Sequence, residues 1–210
     1  HAGISVGPDG ATHQAVEDIA TMRVMANMTV IVPADFTEAK KATLAVAQIV
    51  GPFYLRFGRE KSPIFTTDKT PFTVGKAETL WAGSKPQVAI IGCGQLLYNA
   101  LLAARELEKE KINVLVINSH TVKPLDEKTI VAAAKKCGAI VTVEEHQVMG
   151  GLGGAIAELL AKKAPTPMEF IGMQNVYGQS GSPSELIEFY GMGVKAIIAA
   201  VKKVITRKNA

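Results

Sequence analysis

Along the chain, short apolar runs alternate with stretches in which apolar residues recur every three or four positions. The first pattern suits strands and the second amphipathic helices. The alternation is clearest in the later part. Gln87 to Ile91, Val114 to Ile117, Ala139 to Val143 and Met168 to Ile171 are brief apolar runs, as expected of strands covered on both faces. Gln95 to Glu110 places Leu96, Leu97, Ala100, Leu101, Ala104 and Leu107 on one helical face. Asp126 to Lys136 begins acidic and ends basic, which matches the helix dipole. Gly153 to Lys163 reads as a helix, Ser182, Pro183 and Glu185 as a helix start, and Val194 to Ile205 as the last helix. Four strands alternating with helices predict an α/β fold with a doubly wound, mostly parallel sheet.

The earlier part carries fewer elements. Thr12 to Met25 is expected to be a helix with Val16, Ile19 and Ala20 on one face, followed by a strand from Thr29 to Val32. Asp35 is placed to cap a helix running to about Val50, with Glu38 completing a capping-box pattern, and Phe53 to Arg56 is a second strand. Lys61 to Gly75, rich in Pro, Thr and Lys, has the composition of a linker, and Thr73 to Trp81 suits a hairpin or an extended arm. The expected division is a partial unit over 1–68, a linker or arm over 69–85 and a sheet domain over 86–210. Two strands cannot cover a sheet's faces. The first unit is therefore expected to be a truncated half-domain, a loosely packed extension, or one completed by a partner chain. An opening Gly-rich loop beginning with His1 rather than Met fits a processed or cut chain.

Composition narrows the classes. The 210 residues are 48% hydrophobic and 20% charged, ordinary for a globular protein able to bury a core. No apolar run nears the ~18 residues of a membrane span, and no basic-then-apolar signal opens the chain; no membrane partner is predicted. The net charge is +4 and the pI about 9.0, with basic residues spread over helices apart from Lys202, Lys203, Arg207 and Lys208. With only 6% aromatics, the stripe of basic and aromatic residues that binds nucleic acid is missing, so no nucleic-acid partner is predicted. Mild basicity suits anionic small substrates. Cys93 and Cys137 lie in apolar settings without ligand spacing, which makes a reducing cytoplasm the expected compartment.

Candidate chemistry gathers at His1, Asp9, His13 and Arg59. Gly3, Gly7, Pro8 and Gly10 give the opening segment the composition of a tight loop. Asp9 and His13 would flank the start of the Thr12 helix, where free backbone N–H groups favour negative charge. Two imidazoles and a carboxylate can bind hydroxyls and move protons near neutral pH. The plain alternative makes Asp9 a turn residue and His13 a first-turn residue. Arg59 follows the carboxyl end of a strand, where open α/β sheets bind ligands, and its guanidinium suits phosphate. A surface ion pair with Glu60 or another carboxylate is the alternative.

These segments carry a resemblance. Gly7 to Gln14 (GPDGATHQ), Val30 to Glu38 (VIVPADFTE) and Gly58-Arg59 resemble the pyrimidine-binding domain of transketolases. Val143 to His146 (VEEH) and Met149 to Gly154 (MGGLGG) extend the likeness into that family's carboxyl-terminal domain, so it covers nearly the whole chain. The resemblance implies thiamine diphosphate and Mg²⁺ as cofactors, and transfer of a two-carbon ketol unit between sugar phosphates of the pentose phosphate pathway. It implies that His1 and Asp9 contact donor hydroxyls, that His13 lies beside substrate and cofactor in a catalytic role, and that Arg59 holds the sugar phosphate. It also implies an intact homodimer and an amino-terminal half, on the same or a separate chain, that supplies the main cofactor ligands. The family's activating glutamate and stacking aromatics lie upstream of the matching loop, so the chain alone is expected to be inactive. Pro8 and Ala11 stand where transketolases usually carry Glu and Pro, which suggests a divergent or split-subunit member. 1-Deoxyxylulose-5-phosphate synthase is the nearest rival, with His1 favouring transketolase; a 2-oxoacid dehydrogenase β-subunit is more distant. A non-catalytic docking or regulatory role for 86–210 is the alternative of another class.

Other features point to structure rather than chemistry. Gly92-Cys93-Gly94 lacks the third glycine and the acidic residue of a dinucleotide fingerprint. Gly150 to Gly154 has no following Lys-Ser/Thr and suits tight helix packing. His120 and His146 have no partners at metal-ligand spacing. Adjacent Glu144 and Glu145 should point opposite ways from a strand.

Overall fold

The computed structural model describes residues 1–209. A 3-10 segment, Ile4–Asp9, is broken at Gly7 and precedes α1 (Asp18–Val24), β1 (Thr29–Ile31), α2 (Phe36–Val46) and β2 (Phe53–Leu55). Then come β3 (Glu78–Ala82), β4 (Val88–Gly92), α3 (Leu97–Lys109), β5 (Val114–Asn118), β6 (Thr121–Lys123) and α4 (Glu127–Cys137). The chain ends through β7 (Ile140–Gln147), α5 (Leu152–Lys163), β8 (Met168–Met173), α6 (Pro183–Phe189) and α7 (Val194–Asn209).

The apolar runs of the later part build a five-stranded sheet ordered β3-β5-β4-β7-β8. β4 lies parallel between β5 and β7, with Ile90 opposite Val116 on one side and Val141 on the other. β3 joins the β5 edge antiparallel, so the segment after the linker is an arm rather than a hairpin. Alternate residues feed two cores. Val88, Ile90, Val116 and Val141 pack with α3 and α7 residues such as Leu97 and Val201, while Ala89, Ile91, Ile117 and Ile140 pack with α4 and α5. Both faces are covered, as the apolar strands require. α4 follows its sequence signals closely: Asp126 caps it by accepting from Thr129 N–H at 3.2 Å, and Gly138 ends it in the left-handed conformation.

The smaller sheet departs from expectation. It has three strands, ordered β2-β1-β6, because Thr121–Lys123 leaves the later part to pair antiparallel with β1. α2 is shorter than predicted, ending at Val46. The Thr12 to Met25 helix is largely wrong: only Asp18–Val24 is helical. The reason is that Thr12 to Glu17 spends its polar groups elsewhere. Ala15 donates to the His1 carbonyl at 2.9 Å and accepts from Gly3 at 2.8 Å, while the Val16 carbonyl accepts from Gln147 N–H at 2.8 Å. A helix would need those groups for its own ladder.

The stretch from Lys61 to Gly75 is irregular but fastened. Asp35 accepts from Phe65 N–H, Thr66 N–H and Thr66 Oγ1 at 2.6–2.8 Å, in addition to capping α2 through Glu38 N–H. Lys41 donates to the carbonyls of Thr67, Asp68 and Thr70 at 2.5–3.2 Å.

Candidate functional site

The opening loop is buried along its backbone and exposed at its polar tips. Ala2 to Gly7 are buried, whereas His1, Asp9 and His13 face solvent. Three left-handed glycines, Gly3, Gly7 and Gly10, shape it. Gln14 turns inward and its amide donates to the carbonyls of Ile4, Gly7 and Gln179 at 3.0–3.2 Å, which fixes the loop's curve. Gly178 must lack a side chain there, since a Cβ would stand 1.9 Å from Gln14 Oε1.

Of the four predicted site residues, the structure joins two. Arg59, just past β2, forms an ion pair with Asp9 of the loop. His13 Nδ1 lies 2.9 Å from Thr12 Oγ1, and His1 is exposed at the loop's start. Asp9 and His13 do not flank a helix start, because α1 begins only at Asp18; the dipole reasoning fails with that helix.

The loop is held from beneath by residues the spacing did not single out. Arg56, buried at the end of β2, donates to both Asp18 carboxylate oxygens at 2.7 and 3.1 Å, and to the carbonyls of Ala15 and Glu145 at 2.9 and 3.0 Å. Burial raises the Asp18 pKa, but the Arg56 and Tyr54 hydrogen bonds outweigh it and hold the carboxyl below its ordinary range. The sequence signal was available: an Arg inside the apolar run Phe53 to Phe57 needs a buried partner. Glu145 accepts from Ser5 N–H and from the Gln95 amide, both at 2.6 Å, and Gln95 also donates to Ser5 Oγ. No local pattern announces that cluster, whose members come from three distant segments.

The decoys resolve physically. Glu144 accepts from Leu152 and Gly153 N–H at 2.7 and 2.8 Å, so the α5 amino terminus is already occupied by an internal carboxylate rather than open to phosphate. Burial pushes that carboxyl up to about 7 despite the two amides. Cβ atoms on Gly151 or Gly153 would lie within 3 Å of Glu144 Oε2 and Thr142 Oγ1, so these glycines serve close packing. Gly94 N–H donates to the Val32 carbonyl at 3.1 Å, which engages the glycine turn after β4. His146 Nε2 accepts from Ala20 N–H at 3.3 Å and its Nδ1 bonds the Gln147 carbonyl at 2.7 Å. Buried His120 stacks on Phe72, and burial lowers its pKa to about 4.

A cavity of about 500 Å³ opens between the sheets at the carboxyl ends of their strands, lined by Val32, Pro33, Phe57, Cys93, Gln95 and Glu145 among others. Its lining includes Ala2 and Gly58 but not His1, Asp9, His13 or Arg59. The polar loop stands beside this cavity, at the position where open α/β sheets place their ligands.

Fold and loop together define an α/β protein that presents polar side chains from a glycine-shaped loop. Comparison with known proteins is more specific. The transketolase pyrimidine-binding domain matches residues 1–63, and the transketolase C-terminal domain matches residues 75–197. A 6-deoxy-6-sulfo-D-fructose transketolase subunit of Clostridium sp. is 38% identical over 99% of this chain and 64% of its own length. A putative transketolase C-terminal section of Methanocaldococcus jannaschii is 38% identical over 94% of this chain and 62% of its own. Among solved structures, a split-gene transketolase described as an inactive β4 tetramer superposes with a TM-score of 0.91 at 40% identity, covering 99% of this chain and 66% of that one. The chain belongs to the transketolase family, whose members use thiamine diphosphate. It spans 64% and 62% of the two curated relatives above and 33% of human transketolase, to which it is 36% identical.

The described residues do not fit a whole thiamine diphosphate. None of their His, Cys, Asp and Glu side chains group in threes that could hold a metal, and the nearby guanidinium groups of Arg56 and Arg59 are engaged with carboxylates.

Proposed function

We propose that this chain supplies the sugar-recognition loop of a transketolase that transfers a two-carbon ketol unit between sugar phosphates. Asp9 and His1 contact donor hydroxyls, Arg59 holds the sugar phosphate, and His13 acts beside the reacting centre. The observation that carries this reading is the Asp9–Arg59 pair. It brings the loop's carboxylate and the strand-end guanidinium to one solvent-facing spot, although fifty positions separate them. A phosphate arriving there would compete with Asp9 for Arg59 and release the carboxylate for a hydroxyl.

Residues 1–68 act as part of a pyrimidine-binding domain, 69–85 as a linking arm and 86–210 as the carboxyl-terminal domain. The diphosphate and Mg²⁺ are held chiefly by an amino-terminal portion, on the same or another polypeptide, and the working enzyme is a homodimer of such wholes. Two observations support a partner portion. No strand among the described residues pairs with the outer edge of β2, and Phe36, Leu44 and Phe57 beside it are 45–69% exposed. The names of the relatives above favour transketolase over 1-deoxyxylulose-5-phosphate synthase. Cys93 and Cys137 are free, buried thiols, which fits action in the cytoplasm. No described helix is long and apolar enough to cross a membrane.

The test is reconstitution with an amino-terminal transketolase portion, thiamine diphosphate and Mg²⁺, followed by assay with a ketose phosphate and an aldose phosphate. Ketol transfer to the aldose is expected, with none from the chain alone. Condensation with pyruvate instead, or micromolar cofactor binding by the isolated chain, would overturn the reading.

A further inference from the structure

The structure assigns Glu145 and Gln95, both in the carboxyl-terminal sheet domain, as positioning residues for the sugar-recognition loop; this rests on the reading of that loop given above. Neither residue touches the exposed tips. They act on Ser5, four positions before Asp9. The Glu145 carboxylate accepts from Ser5 N–H at 2.6 Å through one oxygen and from Gln95 Nε2 at 2.6 Å through the other. The same Gln95 amide donates to Ser5 Oγ, closing a three-membered ring of hydrogen bonds. The contact is close as well as polar, since a Cβ on Gly3 would lie 2.2 Å from Glu145 Oε1.

The ring occupies a telling place. Strands β5, β4, β7 and β8 all run parallel, but the order in which they are laid down reverses between β4 and β7, with β5 added on one side and β7 and β8 on the other. Gln95 follows β4, and Glu145 lies near the carboxyl end of β7. That crevice is where a doubly wound sheet ordinarily takes its own ligand. Here it grips the loop of the neighbouring unit, and Arg56 ties the Glu145 carbonyl to Ala15 at the loop's far end. Both ends of the loop are thus set by one strand end, and the carboxyl-terminal domain governs the geometry of substrate recognition without reaching the substrate.

The donor and acceptor pattern supplies the test. Gln95→Glu puts two carboxylates face to face and should displace Ser5. Glu145→Gln should be tolerated, because one amide oxygen still accepts from Ser5 while a turned Gln95 amide accepts from the other end. The Gln95→Glu/Glu145→Gln pair restores one donor and one carboxylate, and should behave like the parent chain. In the reconstituted enzyme, Gln95→Glu is expected to raise the KM for the ketose phosphate about tenfold or more, the effect of losing a hydrogen bond to a carboxylate. The kcat should stay within about threefold. Hydrogen exchange on the 210-residue chain gives a second readout. Amides of the opening loop should exchange faster in Gln95→Glu, those of β4 and α7 should not, and the double variant should recover. Unchanged loop exchange in Gln95→Glu, or a double variant no better than that single one, overturns the assignment. So does faster loop exchange with no rise in KM. If the parent enzyme shows no ketol transfer, the functional reading has failed, and the exchange measurement alone decides whether Glu145 and Gln95 position the loop.

Discussion

Arg56 binds α1, the opening loop and β7 through a single side chain, and its charge is matched by Asp18 in a nearly water-free setting. Replacing it with Ala leaves the largely covered Asp18 carboxylate without its charge partner and with only the Tyr54 hydroxyl at 2.7 Å. A loss of about 3–5 kcal/mol is expected, read from the urea midpoint. Glu38 presents the opposite case. Its carboxyl accepts from Ala34 N–H at 2.6 Å and from the Asn118 amide at 2.7 Å, yet burial pushes it up to about 7. Glu144 is raised to the same value. Both start from 4.5. Between those values the folded chain holds more protons at these groups than the unfolded chain. Their contribution is therefore full below 4.5 and is lost as pH climbs to about 7. The shift corresponds to roughly 3 kcal/mol per group. Glu38→Gln should remove its share: more stable than the parent chain at alkaline pH, little changed at acid pH. A turned Asn118 amide would also give the unpartnered Asn118 Oδ1 a donor. Equal urea midpoints for the two proteins at both pH values would refute this account. His120, lowered by burial to about 4, acts in the other direction, costing stability as pH falls below 6.5.

At the scale of elements, what was legible followed from local signals. The apolar runs became β4, β5, β7 and β8, and caps at Asp35, Asp126 and Ser182 placed the starts of α2, α4 and α6 within a residue or so. What failed was set by distant partners. The segment after His13 has a helical pattern but gives its backbone groups to His1, Gly3 and Gln147, and β6 exists only because β1 offers it an edge. Likewise the exposed polar residues of the glycine-rich loop can be picked out locally as candidates, whereas the Glu145–Gln95–Ser5 ring cannot, being assembled across 140 positions. Asp35 shows one residue serving two elements, as the cap of α2 and the anchor of Phe65 and Thr66. Asp35→Ala should cost about 2 kcal/mol or more, and hydrogen exchange at residues 65–67 should quicken alongside it. Loss of stability with unchanged exchange there would mean that Asp35 does not anchor the segment.

Over the whole molecule, the two sheets share structure on both sides of their boundary. The exposed apolar strip beside β2 is the surface left over once that sharing is complete. Leu44→Asp, at a position 61% exposed, should leave thermal stability unchanged and weaken binding of the amino-terminal portion at least tenfold, measured by titration calorimetry. Undiminished affinity would put the contact elsewhere. The pairing of β6 with β1 has a further consequence. The segment from Lys61 to Lys76 is the covalent link between the units, and Lys61, Lys69 and Lys76 are open to trypsin. Cutting it would not part them, because β6 remains laced into the first sheet and Arg56 into the second. The nicked chain should travel as one particle through a sizing column and fall into two bands only in detergent, its connectivity carried by the fold instead of by the peptide bond.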